Sequence, residues 1–238
     1  MKNSPVPVIV SWSGGKDSAL TLHALQRDPA WQVRGLLTSV NRAYGRISMH
    51  GVRETLLDAQ AASLGLPLYK VQLPERPSND EYEAAMAETL DGLRRQGIMH
   101  VAFGDLFLED IRRYRKTQLA RVAMQGVFPL WLRPTAPLAR EFLALGFKAA
   151  LCCVDGEAMD GGLAGREYDA ALLRELPAAV DPCGENGEFH TFVYAGPLFR
   201  RPLVVRRGER VLREARFYFC DLLLEETGHE HLEPALQR

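Results

Sequence analysis

The sequence lacks a long apolar run and the features of an exported chain. No uninterrupted apolar segment approaches the roughly 20 residues that cross a bilayer as a helix. The N-terminus does not show the charged, apolar and small-residue order of a signal peptide. We therefore expect a cytoplasmic protein with no membrane partner.

An excess of one charge is also missing. The 29 Lys and Arg residues balance 30 Asp and Glu residues, which leaves a net charge of −1. No global field draws such a chain to nucleic acid, so nucleic acid is not an expected partner. Basic residues do cluster within residues 112–121 and 200–216, and we interpret both clusters as solvated faces.

Cysteines are few, and their spacing does not suit a metal site. Cys152, Cys153, Cys183 and Cys220 form no C-x-x-C pair, and no thiolate or histidine spacing supports a zinc site. Cys152 and Cys153 lie within an apolar run that is typical of a strand. We therefore expect reduced, structural thiols.

The pattern that is present indicates an α/β fold. Apolar residues make up 47% of the sequence, enough for a globular core. Strand patterns alternate with helical patterns up to residue 155, which predicts right-handed crossovers and a mainly parallel, Rossmann-like sheet with flanking helices. Strands are predicted at residues 8–12, 31–41, 67–73, 98–105, 127–131 and 147–155. Helices are predicted after residue 18, at 52–65, at 79–96 with Asn79 as N-cap, at 111–125 and at 138–145.

The alternation of strand and helix patterns ends after Asp155. A glycine-rich loop leads into a helix, residues 181–193 form a dense cluster of turn and ionisable residues, and residues 202–225 resemble an antiparallel hairpin with a turn at Gly208. We therefore expect a smaller C-terminal α+β domain. The predicted division is an N-terminal domain at 1–132, a C-terminal domain at 133–226 and a tail at 227–238.

The stretch VIVSWSGGKDSALTLHAL, residues 8–25, combines a strand, a glycine turn and the start of a helix. Such a junction directs backbone N–H groups and the positive end of a helix dipole at one point, which suits an anion. Residues 13–18 do not match the mononucleotide P-loop, because Val10 stands where its first glycine would be and Asp17 follows the lysine. They also do not match the dinucleotide pattern G-x-G-x-x-G.

This turn resembles the PP-loop of ATP pyrophosphatases, in which ATP is cleaved between its α and β phosphates. The resemblance implies an ATP site, and general chemistry suggests a role for each residue. Glycines allow the backbone to approach the phosphates, hydroxyls donate hydrogen bonds, and Lys16 neutralises charge on the leaving pyrophosphate. Asp17 would act through Mg²⁺ or hold the loop. The site residues predicted here are Ser13, Gly14, Gly15, Lys16, Asp17 and Ser18. The alternative is a glycine turn that only connects strand to helix.

Further segments resemble the diphthine-ammonia ligase family from about residue 8 to about residue 224. The resemblance implies an adenine nucleotide α-hydrolase-like domain, followed by a smaller domain that holds the acceptor. It also implies ATP-dependent amidation of diphthine on elongation factor 2 in organisms that make diphthine; otherwise the acceptor is unknown. The segments are GRISMHG (45–51), HVAFGDL (100–106), GVFPLWL (126–132), LGFKAALCCVD (145–155), LAGREYD (163–169) and GENGEFHTFVYAGPLF (184–199).

Two segments outside the glycine turn are expected to face the nucleotide. Gly104 and Asp105 follow the fourth predicted strand, and ligands bind beyond the carboxyl ends of strands in open parallel sheets. Asp105 is therefore a candidate Mg²⁺ ligand together with Asp17, although it could instead cap a turn. His50 follows the second strand and would meet the adenine or the phosphates, unless it is a plain surface histidine.

The segment GENGEFH suggests the acceptor side of the chemistry. Glu185, Glu188 and His190 lie close together in sequence and could hold ammonia or shuttle a proton, with Asn186 as a substrate contact. A solvated polar turn is the alternative. Arg166 could pair with a carboxylate or phosphate of the acceptor through its planar guanidinium, or it could be an exposed arginine.

Together with these patterns, the resemblance implies a ligase that uses ATP, Mg²⁺ and ammonia. An acceptor carboxylate would be adenylylated and then attacked by ammonia to leave an amide, AMP and pyrophosphate. Lys16, Asp17, Glu185, Glu188 and His190 are the predicted catalytic residues. A tRNA-modifying PP-loop enzyme and a non-catalytic nucleotide-binding regulator remain alternatives, and a homodimer is left open.

Overall fold

A mainly parallel sheet forms the N-terminal lobe of the protein. The structure is a computed structural model that describes residues 4–43, 45–47 and 51–225. The strands of this lobe are β1 Val6–Ser11, β2 Trp31–Asn41, β3 Arg46–Ile47, β4 Leu68–Leu73, β5 His100–Ala102 and β6 Gln125–Val127. Its helices are α1 Lys16–Arg27, α2 Glu54–Leu64, α3 Asn79–Arg95 and α4 Glu109–Arg121.

The strand order places a topological switch point beside β1. Strand β1 pairs in parallel with β2 on one side and β5 on the other, β2 pairs with β4, and β5 pairs with β6. The short β3 runs antiparallel to the end of β2. Because the chain builds outward through β2 and β4 before it crosses to β5, a crevice is expected beyond the carboxyl ends of β1 and β5.

Both faces of this sheet are covered by helices. Side chains alternate between the faces of a strand, and Val8 and Val10 pack in one apolar cluster with α1 and α2. Ile9, on the opposite face, packs in a second cluster with α3 and α4. The side chains of Val8, Ile9 and Val10 have no exposed surface, as expected for a parallel strand buried on both sides.

An antiparallel sheet forms the C-terminal lobe. Its elements are α5 Thr135–Ala144, β7 Lys148–Asp155, α6 Ala170–Glu175, β8 Phe189–Ala195, β9 Val205–Arg213 and β10 Phe217–Leu224. The strand order is β8-β7-β10-β9, with antiparallel pairing throughout. The predicted fold class, a mainly parallel α/β sheet followed by a smaller mixed lobe, is confirmed.

The two lobes share one apolar core. Leu57 of α2 and Trp12, which directly precedes the glycine turn, belong to the same buried cluster as Phe192 and Val193 of β8. Helix α1 also contacts β8 directly. Strand β8 therefore lies against the glycine turn, which brings residues far apart in sequence into one site.

Two local predictions in this lobe were wrong. Ser78, not Asn79, caps α3, because its hydroxyl accepts from Glu81 N–H while the Glu81 carboxylate accepts from Ser78 N–H. The last strand of the first sheet is β6, Gln125–Val127, and residues 129–132 form turns rather than strand.

The C-terminal hairpin also turns at a different place. Gly208 lies inside β9, where a register irregularity places it opposite Asp221, and a Cβ there would lie 3.0 Å from the Asp221 carbonyl oxygen. A glycine at a β-bulge meets this need. The turn itself is formed by Glu214 and Ala215, both with φ of 52°.

The remaining expectations concern His50, the C-terminal tail, membrane-spanning helices and the cysteines. His50 and the predicted tail at 227–238 lie outside those residues. No helix in the described part of the chain is long and apolar enough to cross a membrane. All four cysteines are buried and free.

Candidate active site

The glycine turn has no room for side chains at its glycines. Gly14 adopts a φ of +80°, and a Cβ on it would lie 2.9 Å from the Gln60 Oε1 atom. A Cβ on Gly15 would lie 2.9 Å from the Thr191 carbonyl oxygen. Both contacts are closer than side chains tolerate, so the close approach of α2 and β8 requires glycine at both positions.

The turn places the N-terminus of α1 at the crevice. Gly15 is the N-cap residue and has no side chain to cap α1, which begins at Lys16; the Lys16 N–H donates instead to Thr191 Oγ1 at 3.1 Å. The Ser18 hydroxyl donates to the Gly15 carbonyl at 2.8 Å, and Ser13 Oγ accepts from Gly15 N–H at 3.3 Å. A helix N-terminus of this kind favours an anion through its dipole and through the first-turn N–H groups that have no acceptor within the helix.

Gln60 of α2 ties the turn to both lobes. Its side chain is fully buried. Gln60 Oε1 accepts from Trp12 Nε1 at 2.9 Å, while Nε2 donates to the carbonyl oxygens of Gly14 at 3.0 Å and Val193 at 2.6 Å. The Gly14 carbonyl also accepts from Val193 N–H at 2.8 Å. Gln60 thus determines the orientation of the peptide that begins the turn.

Lys16 is directed into the C-terminal lobe. Its side chain is 3% exposed, and its Nζ atom lies 2.8 Å from an Asp17 carboxylate oxygen. Nζ also donates to the Cys183 carbonyl and lies 6.0 Å from the ring centre of Tyr168 and 5.7 Å from that of Phe189. Burial lowers the pKa of Lys16, but Asp17, Cys183 and Glu185 together outweigh burial and keep the pKa above its ordinary value, so the ammonium stays charged.

Glu185 joins the 181–188 loop to the segment that follows β5. Its Oε1 atom accepts from Leu106 N–H at 2.7 Å and from Phe107 N–H at 3.4 Å. Burial raises the pKa of Glu185 to about 7, with a further contribution from the Asp17 charge. A carboxyl group with this pKa can exchange a proton near neutral pH.

Glu188 organises the 181–188 loop. It is buried, and its oxygens accept from Asp181 N–H at 2.9 Å and from Asn186 through its backbone N–H at 3.0 Å and its side-chain Nδ2 at 2.9 Å. These bonds occupy both carboxylate oxygens within the loop. Asn186 itself is exposed.

The other predicted acceptor-side residues have different surroundings. His190 lies in β8, where burial, aided by the Lys16 charge, lowers its pKa to about 4, so it is neutral at physiological pH. Arg166 forms a two-pronged ion pair with Glu175 of α6, with Nη2 and Oε1 2.9 Å apart. The contacts described for the Arg166 side chain therefore lie with α6 and not with the glycine turn.

Gly104 and Asp105 lie beside Asp17. A Cβ on Gly104 would lie 2.9 Å from the backbone carbonyl carbon of Asp17. The Asp105 side chain is 12% exposed, and its Oδ2 atom lies 2.8 Å from Arg115 Nε, yet neither atom makes an aligned hydrogen bond. Burial and the Asp17 charge raise the pKa of Asp105, against the effect of Arg115.

A cavity of about 470 Å³ opens at the switch point. The carboxyl ends of β1, β2 and β5 form its floor, helices α3 and α4 form its wall, and Ser13 connects it to the glycine turn. Its size and largely apolar lining suit a small organic ligand. Residues that line it include Ser11, Thr38, Met86, Val101, Phe103 and Leu119.

Two known domain families match most of this chain. Residues 6–126 match the family Diphthamide synthase N-terminal domain, and residues 134–222 match Diphthamide synthase C-terminal domain. The chain belongs to the diphthamide synthase family. The residues that converge here come from both matched regions of the diphthamide synthase fold: the glycine turn from the first, and the 181–188 loop and β8 from the second.

Relatives within the diphthamide synthase family carry a common name. The chain is 27% identical over 193 residues to diphthine–ammonia ligase of Rattus norvegicus, a match that covers 74% of this chain and 72% of the rat protein. It is 28% identical to diphthine–ammonia ligase of Mus musculus over 67% of this chain and 65% of the mouse protein.

A solved structure also resembles the chain. It is described as a predicted subunit of tRNA methyltransferase from Methanocaldococcus jannaschii, and it aligns with a TM-score of 0.40 and 20% sequence identity. The alignment covers 62% of this chain and 80% of that structure.

Proposed function

We propose that this chain is an ATP-dependent ligase that forms an amide from an acceptor carboxylate and ammonia. The observation that carries the proposal is the contact between the glycine turn and the C-terminal lobe. Lys16 N–H donates to Thr191 Oγ1 at 3.1 Å, and the Lys16 side chain reaches the Cys183 carbonyl. An anion at the turn and an acceptor held by the 181–188 loop would thus be neighbours.

ATP would occupy the cavity and the turn together. The apolar cavity suits the adenine and ribose, and the N-terminus of α1 suits the phosphates. Ser13 borders both regions. This arrangement would place the α phosphate, where the proposed reaction occurs, between the cavity and the turn that holds the departing pyrophosphate.

Asp17 and Asp105 fit a Mg²⁺ ion that accompanies the nucleotide. The Asp105 Oδ2 atom, which pairs with Arg115 without an aligned hydrogen bond, and the neighbouring Asp17 carboxylate are the hard oxygen ligands that Mg²⁺ prefers. No cluster of three or more His, Cys, Asp or Glu side chains that could hold a metal occurs among the described residues, so phosphate and water oxygens would complete the shell. A bound Mg²⁺ would offset the charge of the phosphates.

In the first step, an oxygen of the acceptor carboxylate attacks the α phosphorus. The bond from that phosphorus to the bridging oxygen breaks, and pyrophosphate leaves with the bonding electrons. The amides at the start of α1 and the Lys16 ammonium stabilise the negative charge, and such preorganised groups often supply the largest part of catalysis. For Lys16 to reach a phosphate, its ion pair with Asp17 must open.

In the second step, ammonia attacks the carbonyl carbon of the acyl adenylate and AMP leaves. The attacking nitrogen must lose a proton. Glu185, whose pKa is raised to about 7, is the proposed acceptor of that proton. Neutral His190 and Glu188 would shape the pocket, and Asn186 and Arg166 remain proposed contacts for the acceptor.

The acceptor is proposed to be diphthine on elongation factor 2 where the organism makes it. The similarity to the diphthine–ammonia ligases of Rattus norvegicus and Mus musculus supports this choice. A tRNA-thiolating activity has less support, because burial raises the pKa of the Cys183 thiol to about 12, and a buried, protonated thiol is a poor sulfur carrier.

The proposal is tested by identifying the nucleotide products. Chromatography should show AMP and pyrophosphate, and labelled pyrophosphate should exchange into ATP when the acceptor is present and ammonia is withheld. Asp17→Ala, purified in the same way, should abolish both signals and so exclude contaminating enzymes. ADP and orthophosphate as the primary products would contradict the proposal, and binding of ATP without any cleavage would favour a nucleotide-binding regulator.

A further inference from the structure

Arg115 lies at the wall of the cavity. It belongs to α4, it lines the cavity together with Phe103, and its guanidinium carbon lies 4.4 Å from the centre of the Phe103 ring. Stacking of this kind holds a guanidinium in place while leaving its N–H groups free to bind an anion. Arg113, on the same helix, is exposed and does not line the cavity.

The ion pair between Arg115 and Asp105 is incomplete. Arg115 Nε and Asp105 Oδ2 are 2.8 Å apart, but both are buried atoms without an aligned hydrogen bond. Buried polar groups in native proteins usually have such a partner. Each of these groups therefore has capacity for a further ligand.

The neighbouring cation on α4 is already paired. Arg121 donates to Glu83 at 2.7 Å, and the same carboxylate accepts from Gln118 at 2.7 Å. Arg121 and Glu83 also line the cavity, but each satisfies the other. Arg115 is instead paired with a carboxylate that is itself a proposed Mg²⁺ ligand.

We propose that Arg115 is a nucleotide-contact residue that binds the phosphate nearest the nucleoside. When the nucleotide enters, the guanidinium leaves Asp105 for that phosphate while it stays stacked on Phe103, and Asp105 becomes free to act as a Mg²⁺ ligand. This inference rests on the proposed ATP site. It adds that Arg115 pairs with Asp105 before the nucleotide binds and contacts the phosphate afterwards.

Calorimetric titrations of the whole chain in metal-free buffer test the inference. Arg115→Met should weaken AMP binding by roughly tenfold or more, because a charge-assisted hydrogen bond is lost, and should leave adenosine binding within about twofold. Arg113→Met is the matched control and should bind both ligands like the wild type. Unchanged AMP affinity in Arg115→Met, or an equal loss for AMP and adenosine, would overturn the inference.

A double variant separates direct contact from simple neutralisation of Asp105. If Arg115 acts only as the counter-ion, Asp105→Asn in the Arg115→Met background should restore AMP affinity, and that result would overturn the inference. Continued weak AMP binding supports direct contact. Should Arg115→Met fail to fold, Arg115→Lys replaces it and should also weaken AMP more than adenosine, because the planar fork is lost. Absence of AMP and ATP binding to the wild type would overturn the proposed function as well.

Discussion

Gln60 shows how a single buried amide can determine the geometry of a binding turn. Gln60→Leu leaves Trp12 Nε1 without its acceptor and the Val193 carbonyl without the Gln60 donor. Unsatisfied buried groups cost about 1 to 3 kcal/mol each, so we expect a loss of about 3 kcal/mol of unfolding free energy and weaker ATP binding. Urea denaturation and calorimetry measure the two effects.

The matched control for this change is Gln32→Leu, at an exposed glutamine of β2. It should alter the unfolding free energy by less than about 0.5 kcal/mol, as surface substitutions usually do. Equal stability of Gln60→Leu and the wild type would show that the amide has no structural role.

The raised pKa of Glu185 predicts that the contribution of this residue to the stability of the fold falls as the pH rises. Because its pKa is raised to about 7 in the folded chain from an ordinary value of 4.5, the folded state holds the proton more tightly than the unfolded state. The stability contributed by Glu185 is therefore complete below about pH 4.5 and is lost as the pH rises through about 7.

Glu185→Gln removes this titration and can still accept from Leu106 N–H. The unfolding temperature of the variant relative to the wild type should rise between pH 4.5 and 7 and level off above pH 7. Thermal melts across this range measure it. The same variant should lose acceptor-dependent amide formation, and a pH-independent difference in unfolding temperature would contradict the raised pKa.

Individual residues also show which features of the candidate site could be predicted from the sequence and which could not. The SGGKDS motif identified the glycine turn because its local order of strand, glycines and helix has a direct physical meaning. Gln60 and Arg115 were missed, since each acts through partners that no local pattern connects to it. The direction of the Lys16 side chain could not be predicted either, because it depends on Cys183 and Tyr168, which reach it only in the folded chain.

Among the elements, the β9–β10 hairpin contains a turn that its sequence does not favour. Glu214 and Ala215 both adopt positive φ, a conformation that costs residues with a Cβ roughly 1 kcal/mol or more. Ala215→Gly should therefore stabilise the protein by about 0.5 to 1 kcal/mol. The measurement is the unfolding free energy in urea.

Ala84→Gly provides the opposite control for that change. Ala84 is an exposed residue in the interior of α3, where glycine costs about 1 kcal/mol relative to alanine. Destabilisation by both substitutions would mean that the hairpin turn does not have the described backbone.

The regular elements were largely predictable, and the exceptions have physical causes. Alternation of strand and helix patterns suffices for the first sheet because each crossover unit covers its own strand. The hairpin turn was assigned to Gly208 because glycine usually marks a turn, whereas here the glycine relieves a close contact with Asp221. Tertiary contact thus overrides the local signal.

For the whole molecule, the shared core predicts cooperative unfolding. The apolar cluster that contains Val8 of β1 and Phe192 of β8 spans both lobes, so neither lobe can expose it alone without a large cost. Urea unfolding followed by circular dichroism and by tryptophan fluorescence should give coincident single transitions. Two separate transitions would show that the lobes are independent units.

The Gly14 carbonyl, which accepts from both Gln60 and Val193, has a consequence for the energetics of two ligands. If the proposed acceptor site is correct, a rotation of the second sheet on acceptor binding would also move this peptide of the proposed phosphate site. By thermodynamic linkage, whatever factor the acceptor applies to the dissociation constant of ATP, ATP applies the same factor to that of the acceptor. In the proposed ligase, the binding of ATP and the binding of the acceptor would therefore be coupled, and the Gly14 carbonyl would be one of the atoms that couple them.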